Sequence, residues 1–307
     1  MIVTPILQPG QLEAPAGDIP ELRLPSATLF QNRSQRFQQL AKGHSLGDFL
    51  CFMAVLAECQ QTQLDRHPEI PVPDTRLLTR CREHALPPLG AVGWCRHPHW
   101  QEVTRNLTKA IYEKVPSGGR EALVPLLEPN KEWLEAQADK LLARKFENLN
   151  LAAAPIIGAA LQVQWTYLAR RLESPQVAWQ EQPHLCPVCG SHPVASVIRT
   201  EGPANGLRYL HCALCSSEWH MVRSKCSNCD NTKGGIYYSI EGRKDIVSAE
   251  ACPACHSYLK VIYQDKDPRV DPVADDLATL DLDLLMGNKN LAKSGINLLL
   301  IHGKDEQ

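Results

Sequence analysis

At 307 residues the chain is longer than one average domain, so two or three domains are expected. With 44% hydrophobic and 21% charged residues it has the composition of an ordinary soluble protein with enough apolar matter for a sizeable core. A net charge of −2 excludes a global basic field that would draw the chain to nucleic acid or to a membrane surface.

The first ten residues, MIVTPILQPG, lack a cationic start and a long apolar core, so no secretory signal is expected. Residues 1–25 carry five prolines and little periodicity, and read as an extended arm. Ser26 is placed to cap a helix running to about Lys42, with Leu29, Phe30, Phe37, Leu40 and Ala41 on its apolar face and Gly43 at its end. Leu46–Leu64 follows, apolar on nearly all sides from Phe49 to Ala57, as for a helix buried in a helical domain. Cys51 and Cys59 lie on it and are expected as core thiols.

Prolines 68, 71, 73, 87, 88 and 98 then break the chain, with a short helix expected over Thr75–His84. Further helices are expected over His99–Lys114, Arg120–Leu127 and Lys131–Leu149, the last carrying Leu134, Ala138, Leu141 and Leu142 at helical spacing. A long helix over Ala152–Leu172 has Pro155 in its first turn, where the missing N–H costs little. Its apolar run, Leu151–Leu161, is too short to span a bilayer and is interrupted by Pro155 and Gly158, so no membrane insertion is expected.

After a proline-bearing segment, Ser174–Leu185, the composition shifts to valine, tyrosine, glycine and cysteine. Short strands are expected at Val194–Arg199, Leu207–His211, Glu218–Val222, Gly235–Ile240, Ile246–Ala249 and Tyr258–Tyr263. One helix, Val273–Leu285, precedes a polar tail. The expected architecture is α+β and multidomain: an extended arm (1–25), an all-α helical domain (26–173), a linker (174–185), two small β modules (186–225 and 226–270), and a C-terminal helix and tail (271–307).

The β region holds four Cys-x-x-Cys pairs: Cys186/Cys189, Cys212/Cys215, Cys226/Cys229 and Cys252/Cys255. Pairs one and three start 40 residues apart, as do pairs two and four, so each half reads CxxC, 22 residues, CxxC. Two thiolates on a tight turn can meet one ion at about 2.3 Å, and two facing turns complete a tetrahedron. The repeat favours two copies of one unit, with Cys186, Cys189, Cys212 and Cys215 on one ion and Cys226, Cys229, Cys252 and Cys255 on the other. Trp219 and Val222 of the first copy correspond to Leu259 and Ile262 of the second. Gly190, after Cys189, suits a turn that needs positive φ. Four thiolates suit zinc or a single iron. A [4Fe–4S] cluster normally wants a CxxCxxC run, which is absent, and dithiol redox cycling is the lesser reading for four pairs at repeat spacing. A unit of about 40 residues has little core, so a bound ion would form part of its folding energy. In a reducing cytoplasm, the location expected without an export signal, such thiols serve metal or redox chemistry rather than disulfide staples.

These blocks carry a family likeness. The segments CPVCGSHPVAS, GLRYLHCALCSSEWHMVRSKCSNC and ACPACHSYLKVIYQDKDPRVDPVADDLATL resemble the formate dehydrogenase accessory protein family, FdhE, closely over about Leu185–Leu285. KGHSLGDFLCFMAVLAECQ resembles the family's early helices more loosely. The resemblance implies a cytoplasmic maturation factor for molybdenum- or tungsten-containing formate dehydrogenases. It implies rubredoxin-like iron sites at the eight cysteines, the dehydrogenase catalytic subunit as partner, and a tendency to dimerise.

Other candidates have blander readings. Cys81, His84, Cys95, His97 and His99 offer a second sulfur and nitrogen set, but proline and glycine interrupt it and nothing repeats, so scattered side chains are expected. His211, His220 and His256 flank the cysteine pairs and can tune a metal by hydrogen bonds to its ligands, or simply sit at the surface beside turns. Tyr209 and Trp219 are expected in the core of the small sheet, with exposed partner contacts as the other use. Asp275 and Asp276 are expected to face solvent, their alternatives being a cap or a contact to a basic element of a partner.

Three function classes remain. A protein-binding maturation factor is the leading one. A zinc-ribbon nucleic-acid-binding or regulatory protein is the alternative. From Cys186 to Tyr263 there are eight Lys/Arg and six Asp/Glu, and two divalent ions on eight thiolates leave this region near −2, a poor footprint for phosphate. An enzyme is disfavoured, because closed four-cysteine sites leave no coordination position open and no nucleophile elbow, phosphate loop or paired carboxylates stand out.

Overall fold

The computed structural model describes residues 19–115, 117–178, 184–241 and 245–301. An N-terminal helical part precedes a sheet that carries the cysteine pairs, and two short helices follow. In chain order the helices are α1 (Leu29–Leu40), α2 (Gly47–Asp65), α3 (Thr75–Glu83), α4 (His99–Tyr112), α5 (Ser117–Leu127), α6 (Lys131–Leu142), α7 (Ala154–Ala169), α8 (Pro272–Leu277) and α9 (Leu280–Asn288). The strands are β1 (Leu22–Arg23), β2 (Pro193–Ile198), β3 (Arg208–Cys212), β4 (Glu218–His220), β5 (Ile236–Tyr238), β6 (Val247–Ala251), β7 (Ser257–Tyr263) and β8 (Ala292–Lys293).

Helix α7 is the axle of the helical part. It is apolar on all sides, and every residue from Ile156 to Ala169 is buried. Pro155 occupies its first turn, as its missing N–H allows. Some of its polar groups are bonded: Gln60 Nε2 donates to the Ala159 carbonyl at 2.9 Å and to Gln162 Oε1 at 3.1 Å, whereas Gln164 Oε1, Thr166 Oγ1 and the Tyr167 hydroxyl have no hydrogen-bond partner among the described residues. Gly158 lets the C-terminal segment lie against the helix, since a Cβ there would stand 2.6 Å from the Leu298 carbonyl oxygen.

Several boundaries differ from expectation, each for a local reason. Ser26 does not cap α1; the residue before that helix is Thr28, with no side-chain cap. Asp74 and Asn130 do cap, accepting from Leu77 N–H at 2.7 Å and Trp133 N–H at 2.8 Å. Helix α6 stops at Leu142 instead of Leu149, because Arg144 turns left-handed at φ 55°. Cys51 is exposed and Cys59 half-buried, so neither is the core thiol expected. The helix expected over Val273–Leu285 is two helices. The chain breaks near Thr279, where Lys260 Nζ takes the freed carbonyls of Asp276 at 2.8 Å and Thr279 at 2.9 Å.

The strands form one sheet in the order β1-β4-β3-β2-β7-β6-β5, with β8 beside β7. Each 40-residue repeat makes a three-stranded antiparallel unit, β2-β3-β4 or β5-β6-β7, and a parallel pairing of β2 with β7 fuses the two units. The repeat extends to register: Leu210 faces Trp219 in the first unit, and Glu250 faces Leu259 in the second. Val222 lies beyond β4, so its match with Ile262 of β7 is not a strand match. Residues 22–23 of the proline-rich arm pair with β4 and cover its edge.

Three acids tie the sheet to the helices. Asp271 caps α8 by accepting from the N–H groups of Val273 and Ala274, and its carboxylate meets Arg33 Nε of α1 at 3.0 Å. Asp275 takes Arg36 of α1 at 2.6 Å. Asp276, fully buried, takes Lys293 at 2.5 Å, Lys260 at 3.2 Å and Asn297 Nδ2 at 2.9 Å. The expectation that Asp275 and Asp276 face solvent is therefore corrected. Burying a carboxylate is costly unless cations and donors replace its water, and here four basic side chains surround the three acids.

Candidate metal centres

Each Cys-x-x-Cys pair sits on a tight turn at the mouth of a strand pair. In the turn at Cys186, the Gly190 N–H donates to the Cys186 carbonyl at 2.7 Å and the Cys186 N–H to the Ser191 carbonyl at 2.9 Å. The same pattern closes the turn at Cys226, with Asp230 and Asn231, and the turn at Cys252, with His256 and Ser257. In all four turns the residue after the second cysteine is left-handed: Gly190 (φ 73°), Ser216 (57°), Asp230 (57°) and His256 (53°). Only one of these is glycine, so three side chains accept a conformation that ordinary residues seldom adopt.

The turns bring the sulfurs together in two sequential groups. Cys186, Cys189, Cys212 and Cys215 form one and Cys226, Cys229, Cys252 and Cys255 the other, and within each group all Sγ atoms lie within 4.8 Å of one another. The closer separations are 3.5 Å for Cys186–Cys215 and 3.4 Å for Cys189–Cys212. In the second group they are 3.9 Å for Cys226–Cys255 and 3.6 Å for Cys229–Cys252. Disulfides require about 2.05 Å. Four thiolates at about 2.3 Å from one ion stand about 3.8 Å apart on a tetrahedron. The observed spacing is therefore that of a cage for a four-coordinate thiophilic ion, iron or zinc.

Donors aim at the sulfurs from the turns themselves. Leu214 and Cys215 N–H groups reach Cys212 Sγ at 3.3 and 3.4 Å, and the Cys215 thiol itself donates to the Ser217 hydroxyl at 3.3 Å. In the second group, Asn228 N–H reaches Cys226 Sγ at 3.4 Å, while side-chain amides of Asn228 and Asn231 reach Cys255 and Cys252, each at 3.7 Å. Such donors spread the negative charge of a four-thiolate site. Burial pushes the Cys186 and Cys212 thiols well above their ordinary value. A divalent cation held among the four sulfurs would supply the opposing charge and favour the thiolates. In the second group burial pushes Cys226 up to about 12, whereas Ser257 and Asn228 overcome burial at Cys255 and bring it to about 6.

The two groups differ in setting. The four cysteines of the first are buried, at 2% exposure or less, and belong to the main core. Its turns are stitched to the helical part: Leu89 N–H to the Val188 carbonyl at 2.9 Å, Ala91 N–H to the Cys189 carbonyl at 2.8 Å, and Gln162 Nε2 to the Ala213 carbonyl at 2.8 Å. In the second group Cys252 is buried, Cys226 and Cys255 are half-buried and Cys229 is exposed. Its outer turn is held by His184, which reaches the Ser227 carbonyl and Asp230 Oδ2, each at 2.9 Å.

The flanking histidines do not reach the sulfurs by any hydrogen bond among the described residues. His211 is buried with Nδ1 2.9 Å from Glu218 Oε1. Although burial opposes it, Arg199 and His211 hold the Glu218 carboxylate well below the usual range. His220 stands edge-on to Tyr209 at 5.7 Å, and His256 is exposed on its turn. Tyr209 and Trp219 are fully buried, and the Tyr209 hydroxyl donates to the Pro20 carbonyl at 2.8 Å. The set at Cys81, His84, Cys95, His97 and His99 is not gathered; among the described residues the two cysteine groups are the ones placed to hold an ion. Sequence reasoning missed the buried acids beside the sheet. Their available signal was Asp271-Pro272, an N-cap followed by proline at the first helical position.

Family models match almost the whole described chain: "FdhE, N-terminal" over residues 19–181, "FdhE, central domain" over 185–223 and "FdhE, C-terminal domain" over 224–300. A "Protein FdhE homolog" of Pseudomonas aeruginosa is 41% identical over 303 residues, spanning 97% of this chain and 98% of the relative. Another, from Edwardsiella ictaluri, is 42% identical over 294 residues, spanning 94% of each chain. The crystal structure of the FdhE protein from Pseudomonas aeruginosa is similar at a TM-score of 0.86 and 39% identity, covering 92% of this chain and 100% of that one. Among the described residues no helix is long and apolar enough to cross a membrane.

Proposed function

The chain belongs to the FdhE family, and from that premise we propose that it is a cytoplasmic accessory factor in the maturation of formate dehydrogenase, and not an enzyme itself. It docks on the dehydrogenase catalytic subunit and holds one metal ion in each four-cysteine centre, with Cys186, Cys189, Cys212 and Cys215 as one ligand set and Cys226, Cys229, Cys252 and Cys255 as the other. The observation that carries the reading is the convergence of eight sulfurs into two tetrahedron-sized groups in a chain of this family. Iron follows from the family likeness, and the donor set accepts zinc equally.

A bound ion supplies positive charge and a crosslink of four chain segments. In small zinc domains such binding contributes on the order of 10 kcal/mol to folding. With all four positions taken by sulfur, neither centre leaves a place for substrate or water. The centres therefore shape a docking surface instead of turning over a substrate.

Anaerobic purification followed by elemental analysis and visible absorption tests the metal and separates iron from zinc. The double variant Cys186→Ser/Cys189→Ser is expected to lose metal from the first centre and to leave formate dehydrogenase inactive in cells that depend on it. The catalytic subunit is expected to co-purify with the unaltered chain. Full dehydrogenase activity with the metal-depleted double variant would refute the proposal.

A further inference from the structure

The two centres have the same ligands and turn geometry but unequal access. We propose that the second centre is a ligand-exchange site, open to an external thiolate at Cys229, while the first is a closed structural site. The inference rests on the metal reading above and adds a chemical difference between the two ions.

An entering ligand must come within bonding distance of the ion, about 2.3 Å for sulfur. At the first centre that approach is shut. Its four cysteines are buried in the main core, and three backbone carbonyls of its turns accept from Leu89, Ala91 and Gln162. Admitting a ligand there means opening the contact between sheet and helices. At the second centre Cys229 is exposed and its neighbours Cys226 and Cys255 are half-buried, so one face of the sulfur cage meets solvent. Cys252, on the opposite side, is buried and continues into β7 through its bond to Ser257, at 2.8 Å. The outer turn, Cys226–Asp230, is tied down by the half-buried side chains of His184, which reaches the Ser227 carbonyl and the exposed Asp230, and of Lys225, which reaches Asp230. That turn can yield without disturbing the core, and Cys229 is the ligand it would release.

The step is a substitution without change of oxidation state. The sulfur of an entering thiol bonds to the ion as the bond from the ion to Cys229 Sγ breaks. The proton of the entering thiol ends on Cys229 Sγ. The ion keeps four sulfur ligands and its charge. The entering group is a thiol, whether free or a cysteine side chain of a partner.

The test uses the metal-loaded full chain, with metal content measured first. Limited treatment with iodoacetamide, read by peptide mass mapping, is expected to modify Cys51 and Cys95 first, since both are exposed and serve as internal controls. Cys229 is expected to follow with loss of one of the two ions, while Cys186, Cys189, Cys212 and Cys215 stay unmodified. In a second arm a chromophoric chelator draws out the metal with free cysteine as the probe thiol. One ion is expected to leave before the other, the fast phase is expected to quicken with added cysteine, and Cys229→Ser is expected to alter that phase alone. Equal protection of Cys229 and Cys186, a single phase of release, or a fast phase indifferent to cysteine would overturn the inference. A chain that carries no metal at the outset would instead overturn the metal reading and this inference with it.

Discussion

Replacing Asp276 by Asn is expected to be the most damaging single isosteric change outside the cysteines. The amide keeps the shape of the carboxylate, so no cavity opens and packing is retained. What disappears is the negative charge between Lys260, which is fully buried, and Lys293. Asp283, 2.7 Å from Lys260, is then left to serve both ammonium groups. Burial opposes ionisation of Asp276, yet Lys260 and Lys293 hold it well below the usual carboxylate range. Its stabilising contribution is therefore complete above the unfolded-state value near pH 4 and fades as pH falls towards the folded-state value. Breaking one side of a buried pair costs about 3–5 kcal/mol, a large part of the roughly 5–15 kcal/mol that keeps a domain folded. Urea unfolding at pH 7, followed by tryptophan fluorescence at fixed metal and reductant, reads this loss. The metal must be fixed because an ion that binds only the folded chain raises apparent stability by mass action. Adding Lys293→Met to Asp276→Asn removes one orphaned cation and should recover part of the loss, so the two changes should not add. If Asp276→Asn lies within about 0.5 kcal/mol of the unaltered chain, the region behaves as ordinary surface and the role given to this acid is wrong.

Gly158→Ala places a methyl group 2.6 Å from the Leu298 carbonyl. Overpacking of about 1–3 kcal/mol should exceed the helix-propensity gain of at most about 1 kcal/mol, so hydrogen exchange at Leu300, whose N–H bonds to the Asn297 carbonyl, should accelerate. Burial against the stacked Tyr167 ring lowers His67 to about 4, so its folded form binds fewer protons than the unfolded one. Its contribution is full above about pH 6.5 and is lost as pH falls towards 4, so His67→Phe should narrow the gap between unfolding midpoints at pH 7 and pH 5; an unchanged gap counts against burial as the cause. Cys51→Ser, at an exposed position, should leave the unfolding free energy measured in urea within about 0.5 kcal/mol and the metal content unchanged.

The cysteine spacing by itself determined the two sulfur groups. A fixed 40-residue offset requires the same local turns twice, and tight turns depend on neighbours in sequence, so the grouping within Cys186–Cys255 is legible in the order of residues alone. The helices were legible for a similar reason, since apolar periodicity over 12 or more residues, as in α4 and α6, reports which face is buried. Three matters were decided only by tertiary structure. The parallel pairing of β2 with β7 joins strands about 65 residues apart, and no local pattern encodes that partner. The charges in VADDLATL look solvated in sequence, because their cations come from Arg36 far upstream and from Lys260 and Lys293 across the sheet. The inequality of the centres is also tertiary. Both have the same CxxC motif, but α7 and the 89–91 segment close over the first, and Cys229 of the second remains exposed to solvent.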